Sequence, residues 1–248
     1  MMFFIVIVIT IILLYLYFLY FYPITFYRKD ETYNILKNNK NYYKNFRKVD
    51  LDVRNIKNIN EYIENIRDDV CNFSLYEKIR LANCCRIAND KIYKKKYEWF
   101  DGKKAYDIDW EFCYIDKYYE NGFPHTVYGK IIILSKFIMD KYTDKQLIRT
   151  LIHEKTHLYQ NKYKDDIKIY LDKNNIVYYK KREDSDNIRV NPDTDNLIYK
   201  DNSNNFYYKA KFNDNPSNLN DVSYHNNSSK YEHPYEQMAY EIAYEISS

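Results

Sequence analysis

LIHEKTHLYQ, residues 151–160, sets His153 and His157 four positions apart, with Glu154 directly after the first histidine. On an α-helix, positions i and i+4 share a face, so two imidazoles at this spacing can reach one ion; the chemistry exists only if the stretch is helical. The flanking residues predict that it is. Thr143 followed by Gln146 is a capping-box pair ahead of an apolar periodic run. At about 100° per residue, Gln146, Arg149, His153, His157 and Gln160 make one polar stripe, and Leu147, Ile148, Leu151, Ile152, Leu158 and Tyr159 fill the opposite side. Lys155 is the misfit on that apolar back. A surface helix with two incidental histidines would not explain the cap, the stripe and the back face together.

A zinc site that works on substrate takes three protein ligands and keeps a fourth position open. Glu154 projects about 100° away from His153, beside such an ion rather than onto it, where a carboxylate can act as general base. The closing segment HPYEQMAYEIAYEI (233–246) reads as a helix with Pro234 as its first residue. Glu236 stands at the margin of its buried face, beside Ala239 and Ala243, which are small enough to let two helices approach closely. Glu236 is therefore the expected third ligand, against the plainer role of a carboxylate at a helix N-terminus. His233 is the runner-up ligand.

HEKTH and the later HPYEQMA resemble the zincin metallopeptidases of the gluzincin kind, which carry HExxH on one helix and a glutamate in an E-x-x-A helix further on. The resemblance covers residues 120–248, and FPHTVYGKIIILSKFIM (123–139) is similar to the zincin edge strand that lines the cleft. With its Asn-, Lys-, Ile- and Tyr-rich composition, the bias an AT-rich coding sequence produces, the chain is also similar to zincin-like proteins encoded by large DNA viruses. The resemblance implies an α+β zincin-like domain: helices and a small mixed sheet with an edge strand before the HExxH helix. The chain departs from that pattern in the long gap between His157 and Glu236, where short strand-like pieces separated by Asn/Asp-rich turns read as a β-rich insert at about 165–232. The resemblance also implies a Zn2+ cofactor on His153, His157 and Glu236, with Glu154 as the catalytic base acting on a peptide or protein substrate. Gluzincins often hold the oxyanion with a His or Tyr; Tyr224, His225, Tyr231 and the edge-strand His125 are the candidates. The alternative is an inactive zincin fold used for binding or scaffolding.

The N-terminus predicts something else. Residues 1–27 contain no charged side chain, and about 20 apolar residues suffice to cross a bilayer. A cleaved signal would want a basic start, a shorter apolar stretch and a small-residue cleavage site, none of which is present. The expectation is a single transmembrane helix over 1–27 with the lipid bilayer as partner, a polar stalk over 28–52 and the catalytic domain over 53–248. Arg28, Lys29, Lys37, Lys40, Lys44, Arg47 and Lys48 follow the span, so the positive-inside rule puts the domain on the cytoplasmic side. That compartment suits four cysteines that form no Cys-x-x-Cys pattern. The net charge of +3 comes from basic residues interleaved with acidic ones, so a nucleic-acid partner is not expected.

Overall fold

The computed structural model describes residues 6–7, 9–10, 24–116, 119–183, 186–224 and 229–247. A four-stranded mixed sheet lies at the centre, in the order Ile24–Phe26, Trp110–Ile115, Ile131–Ser135, His125–Val127. The first three strands run parallel, and His125–Val127 pairs antiparallel to Ile131–Ser135 at one edge, with His125 opposite Ile133. The β-branched run Ile131-Ile132-Ile133-Leu134 is buried throughout, as a strand covered on both faces requires. Its alternate residues serve two different layers. Ile132 and Leu134, with Phe112 and Tyr114, face a core built with the motif helix; Ile131 and Ile133, with Cys113 and Ile115, face Leu36, Tyr43, Tyr62 and Ile66.

The motif helix runs from Asp144 to Lys162 behind the Thr143–Gln146 capping box. It packs between Leu75–Tyr93, itself started by a Ser74–Glu77 capping box, and the closing helix Pro234–Ser247. Ala239 and Ala243 are completely buried where the two helices meet. The turn between the last two strands also touches the motif helix. Gly129 has φ +66°, and a Cβ there would stand 2.8 Å from the Asn161 side chain, so glycine is required both for conformation and for space.

The α+β architecture stands, but its expected N-terminal half is corrected. Among the described residues no helix is long and apolar enough to cross a membrane. The last part of the expected span, Ile24–Phe26, is a strand whose backbone pairs with Trp110–Phe112. A β-branched and aromatic triplet finds its hydrogen bonds in that sheet edge rather than in a helix. With it the single-pass bilayer placement and its cytoplasmic orientation lose their basis; residues 1–5, 8 and 11–23 lie outside the described residues. The polar stalk is also replaced. Residues 28–52 form the helices Lys29–Lys37, Lys40–Tyr43 and Lys48–Asp52, and Leu36 and Tyr43 are buried against the sheet. Apolar residues spaced among lysines and asparagines were enough to fix one face of each helix to the core.

The 165–232 region opens with a helix, Lys164–Lys173, and then carries a three-stranded antiparallel sheet of Ile176–Lys181, Leu197–Asp201 and Phe206–Tyr208. The Asp201 carboxylate closes the hairpin by accepting from the Ser203 and Asn204 N–H groups. A two-stranded ribbon, Lys211–Phe212 with Val222–Ser223, follows. From this region the stretch around Asn191 returns over the motif helix.

Candidate metal centre

His153, His157 and Glu236 converge across the contact between the motif and closing helices, with one ligand atom from each lying within 4.8 Å of the others. His157 Nε2 is 3.0 Å from His153 Nε2. Glu236 Oε2 is 3.3 Å from His153 Nε2, and Oε1 is 3.5 Å from His157 Nε2. Tetrahedral ligands at about 2.0–2.1 Å from an ion stand about 3.3 Å from one another. The three edges of the cluster are of that size, and two imidazoles with a carboxylate are a donor set for Zn2+. The residues fit the ion.

The surrounding hydrogen bonds fix how each ligand presents itself. Gln160 Nε2 donates to the Tyr235 carbonyl at 2.9 Å, which sets the amide orientation and turns Oε1 toward His157 Nδ1, 2.8 Å away. Nδ1 therefore donates, and in the neutral ring the lone pair of Nε2 points into the cluster. Asn191 Nδ2 donates to Glu236 Oε1 at 2.8 Å and to Glu232 Oε1 at 2.7 Å. The Tyr240 ring stands edge-on to His153, with centroids 4.5 Å apart. Burial works against the Glu236 carboxylate, yet His157 and His153 beside it hold it well below the usual carboxylate range. His157 shows the reciprocal effect: burial disfavours its charge, but Glu236 first and Asp193 second push the imidazole up to about 10. This pocket is built to hold positive charge.

Glu154 sits one residue along and is 2% exposed, and its Oε2 has no hydrogen-bond partner among the described residues. Burial, then the Asp193 and Glu236 carboxylates, raise its carboxyl well above the usual range. It opens onto a cavity of about 470 Å³ that also meets His153, Glu236, His125, Arg149 and Tyr240.

Of the candidates for holding an oxyanion, His125 lies on this cavity. Its Nδ1 is 3.0 Å from the Phe123 carbonyl and so carries the proton, and its Nε2 is buried without a partner among the described residues. That nitrogen accepts when the ring is neutral and donates when the ring is protonated. Tyr224 is 43% exposed and Tyr231 stacks on Tyr240, both off the cavity wall; His225 lies outside the described residues. The runner-up ligand His233 is placed elsewhere. Its Nε2 is 3.2 Å from Asp195 Oδ1, and its Nδ1 accepts the Tyr235 N–H, which is a helix cap.

Sequence reasoning gave no role to the loop Asn191-Pro192-Asp193. Asp193 Oδ1 accepts from both the N–H and the hydroxyl of Thr126 on the edge strand, at 2.5 and 2.7 Å. The loop thus spans from the edge strand to the ligand helix and caps an N–H that an extended peptide would otherwise use. Asn-Pro-Asp is a turn signal; no one-dimensional feature says where the turn lands. Comparison of the chain with protein-family models, with curated proteins and with solved structures finds no match.

Proposed function

We propose that the chain is a zinc-dependent metallopeptidase in which His153, His157 and Glu236 hold the ion and Glu154 is the general base. The observation that carries the reading is the set of ligand separations, 3.0, 3.3 and 3.5 Å, with an unpartnered Glu154 oxygen on the adjoining cavity. The resemblance of HEKTH and HPYEQMA to gluzincins supports the same assignment.

Zn2+ at such a site supplies Lewis acidity and eases deprotonation of water. The protein does the rest. Gln160 and Asn191 orient His157 and Glu236, so the ligand lone pairs converge before the ion arrives. Glu154 takes the proton of the attacking water and delivers it to the leaving amine nitrogen. The burial that raises its affinity for a proton suits the second half of that task, and a cation at the triad counters it for the first half. His125 lines the same cavity, and its Nε2 can donate to negative charge developing on the substrate carbonyl when the ring carries a second proton.

Metal analysis of the full chain after zinc-replete purification and dialysis tests the reading. One zinc per chain, lost in Glu236→Ala while the circular dichroism spectrum is kept, is the expected outcome. Zinc near zero in the wild type ends it. A binding or scaffolding role draws support from one observation, the capping of the Thr126 N–H by Asp193; in that case zinc is bound but no peptide is cut.

A further inference from the structure

Apart from Glu154, the carboxylates around the cavity are committed to partners within the protein. Glu120 accepts from Arg54, Tyr42 and Tyr62; Glu232 pairs with Arg189; Asp193 holds Thr126; Glu236 belongs to the triad. Arg189 is likewise committed, to Glu232 and to the Leu219 carbonyl. Arg149 differs. The residue lines the cavity, its guanidinium forms no hydrogen bond or ion pair with any described residue, and its Nε is buried without a partner among them. It lies over the Tyr244 ring, 5.0 Å from the centroid. Such stacking covers the face of the guanidinium and leaves its N–H edge able to donate.

Arg149 precedes His153 by four residues, so it lies on the same helix face, about 6 Å along the axis. An extended peptide advances about 3.3–3.6 Å per residue, so a group held at Arg149 sits one or two residues from a bond held at the triad. A guanidinium fork with its edge open matches a carboxylate through two parallel hydrogen bonds. An anion entering elsewhere in the cavity would meet Glu120, Glu154, Glu232 or Asp193.

We propose that Arg149 is the carboxylate-recognition residue of this cleft, and that the site selects peptides presenting a carboxylate one or two residues from the bond at the triad. The carboxylate is either a free C-terminus or an acidic side chain. The proposal rests on the peptidase reading and narrows its substrate class.

The test is retention of mixed-sequence hexapeptide libraries on the immobilised full chain, quantified by mass spectrometry. Three libraries are used: acid-free with a free C-terminus, acid-free with a C-terminal amide, and amidated with one Asp or Glu. Glu154→Gln serves as the parent so that bound peptides are not consumed. At least one carboxylate-bearing library should be retained about ten-fold over the acid-free amide. Arg149→Gln should bring that ratio to one, and Arg149→Lys should keep part of it. Which library gains separates a C-terminal from a side-chain carboxylate. Equal retention of all three, a preference that survives Arg149→Gln, or no retention at all overturns the proposal. Zinc content and cleavage by the wild type are read separately. Arg149-dependent retention without cleavage would sink the peptidase reading alone, and cleavage indifferent to carboxylates would sink this one alone.

Discussion

Two buried glutamates on different elements line the same cavity, each on its own wall. Glu120, on the loop before the edge strand, accepts from Arg54 Nε at 3.0 Å and from the Tyr42 and Tyr62 hydroxyls at 2.8 and 2.7 Å. Burial opposes its charge, but the Arg54 guanidinium and these donors hold its carboxyl below the ordinary range. Glu154, on the motif helix, has burial and two neighbouring carboxylates acting on it, and its carboxyl moves the other way. The same side chain at similar depth is an anion with its hydrogen bonds completed on the loop before the edge strand, and a carboxyl that holds its proton more tightly on the motif helix. Burial of charge therefore does not mark function in this molecule. What separates the two is whether the protein itself completes the hydrogen bonds.

The largest effect is expected where the bonds are incomplete. Glu154→Gln should reduce peptide turnover by about 10²–10⁴-fold while zinc content and melting temperature stay close to wild type. Turnover within a factor of a few of wild type would erase the distinction between the two walls. At the completed wall the readout is reversed. Arg54→Met leaves Glu120 buried beside two phenols without its guanidinium partner, and should cost about 3–5 kcal/mol in urea unfolding with zinc stoichiometry unchanged. Loss of zinc at full stability would mean that Glu120 belongs to the metal site after all.

A smaller effect is expected one bond beyond the proposed metal ligands. Gln160→Ala removes the acceptor that orients the His157 ring and should weaken zinc affinity about 10–100-fold, measured by competition with a chelator. Unchanged affinity would show that the ring is held by packing alone.

The smallest effect concerns the back of the motif helix. Lys155 is fully buried there; its amine donates to the Ile108 carbonyl and lies 4.0 Å from the Trp110 ring centroid. Burial lowers its pKa from 10.5 to about 7. Below that value the folded protein must keep a charged amine in its core. Between about 7 and 10.5 the unfolded chain binds a proton that the folded chain does not, so this group adds stability as pH rises through that window. Relative to Lys155→Met, the wild type should gain stability steadily as pH rises from about 7 to about 10, read from paired melting curves. A pH-independent difference would mean that the amine is neutral or solvated throughout.

Much of the site was legible because it is written on two helices. Capping residues, an i,i+4 histidine pair and small residues beside Glu236 are local patterns, and helix geometry turns each into a direction in space. Lys155 appeared as a misfit because periodicity grades a position by polarity alone, and the Trp110 face that receives it belongs to a distant strand. The N-terminus misled for a related reason. An uncharged apolar stretch satisfies the requirements of a bilayer and of a sheet edge equally well, and the pairing of Ile24–Phe26 with Trp110–Phe112 is a contact across more than 80 residues. The lysine-rich segment that followed looked like a tether because its few apolar residues carry their meaning only against the sheet they cover.

By itself, then, the sequence determined the motif helix, its cap, its two faces and the helix that answers it, since these depend on interactions within a few residues. The tertiary structure decided which glutamate is satisfied and which is not, that Asn191 and Asp193 reach over the cleft, and that Arg149 meets no carboxylate among the described residues. Each of those depends on which donors and acceptors from remote segments arrive within about 3 Å. Hydrogen bonding is set at that range, and chain periodicity carries no information about it.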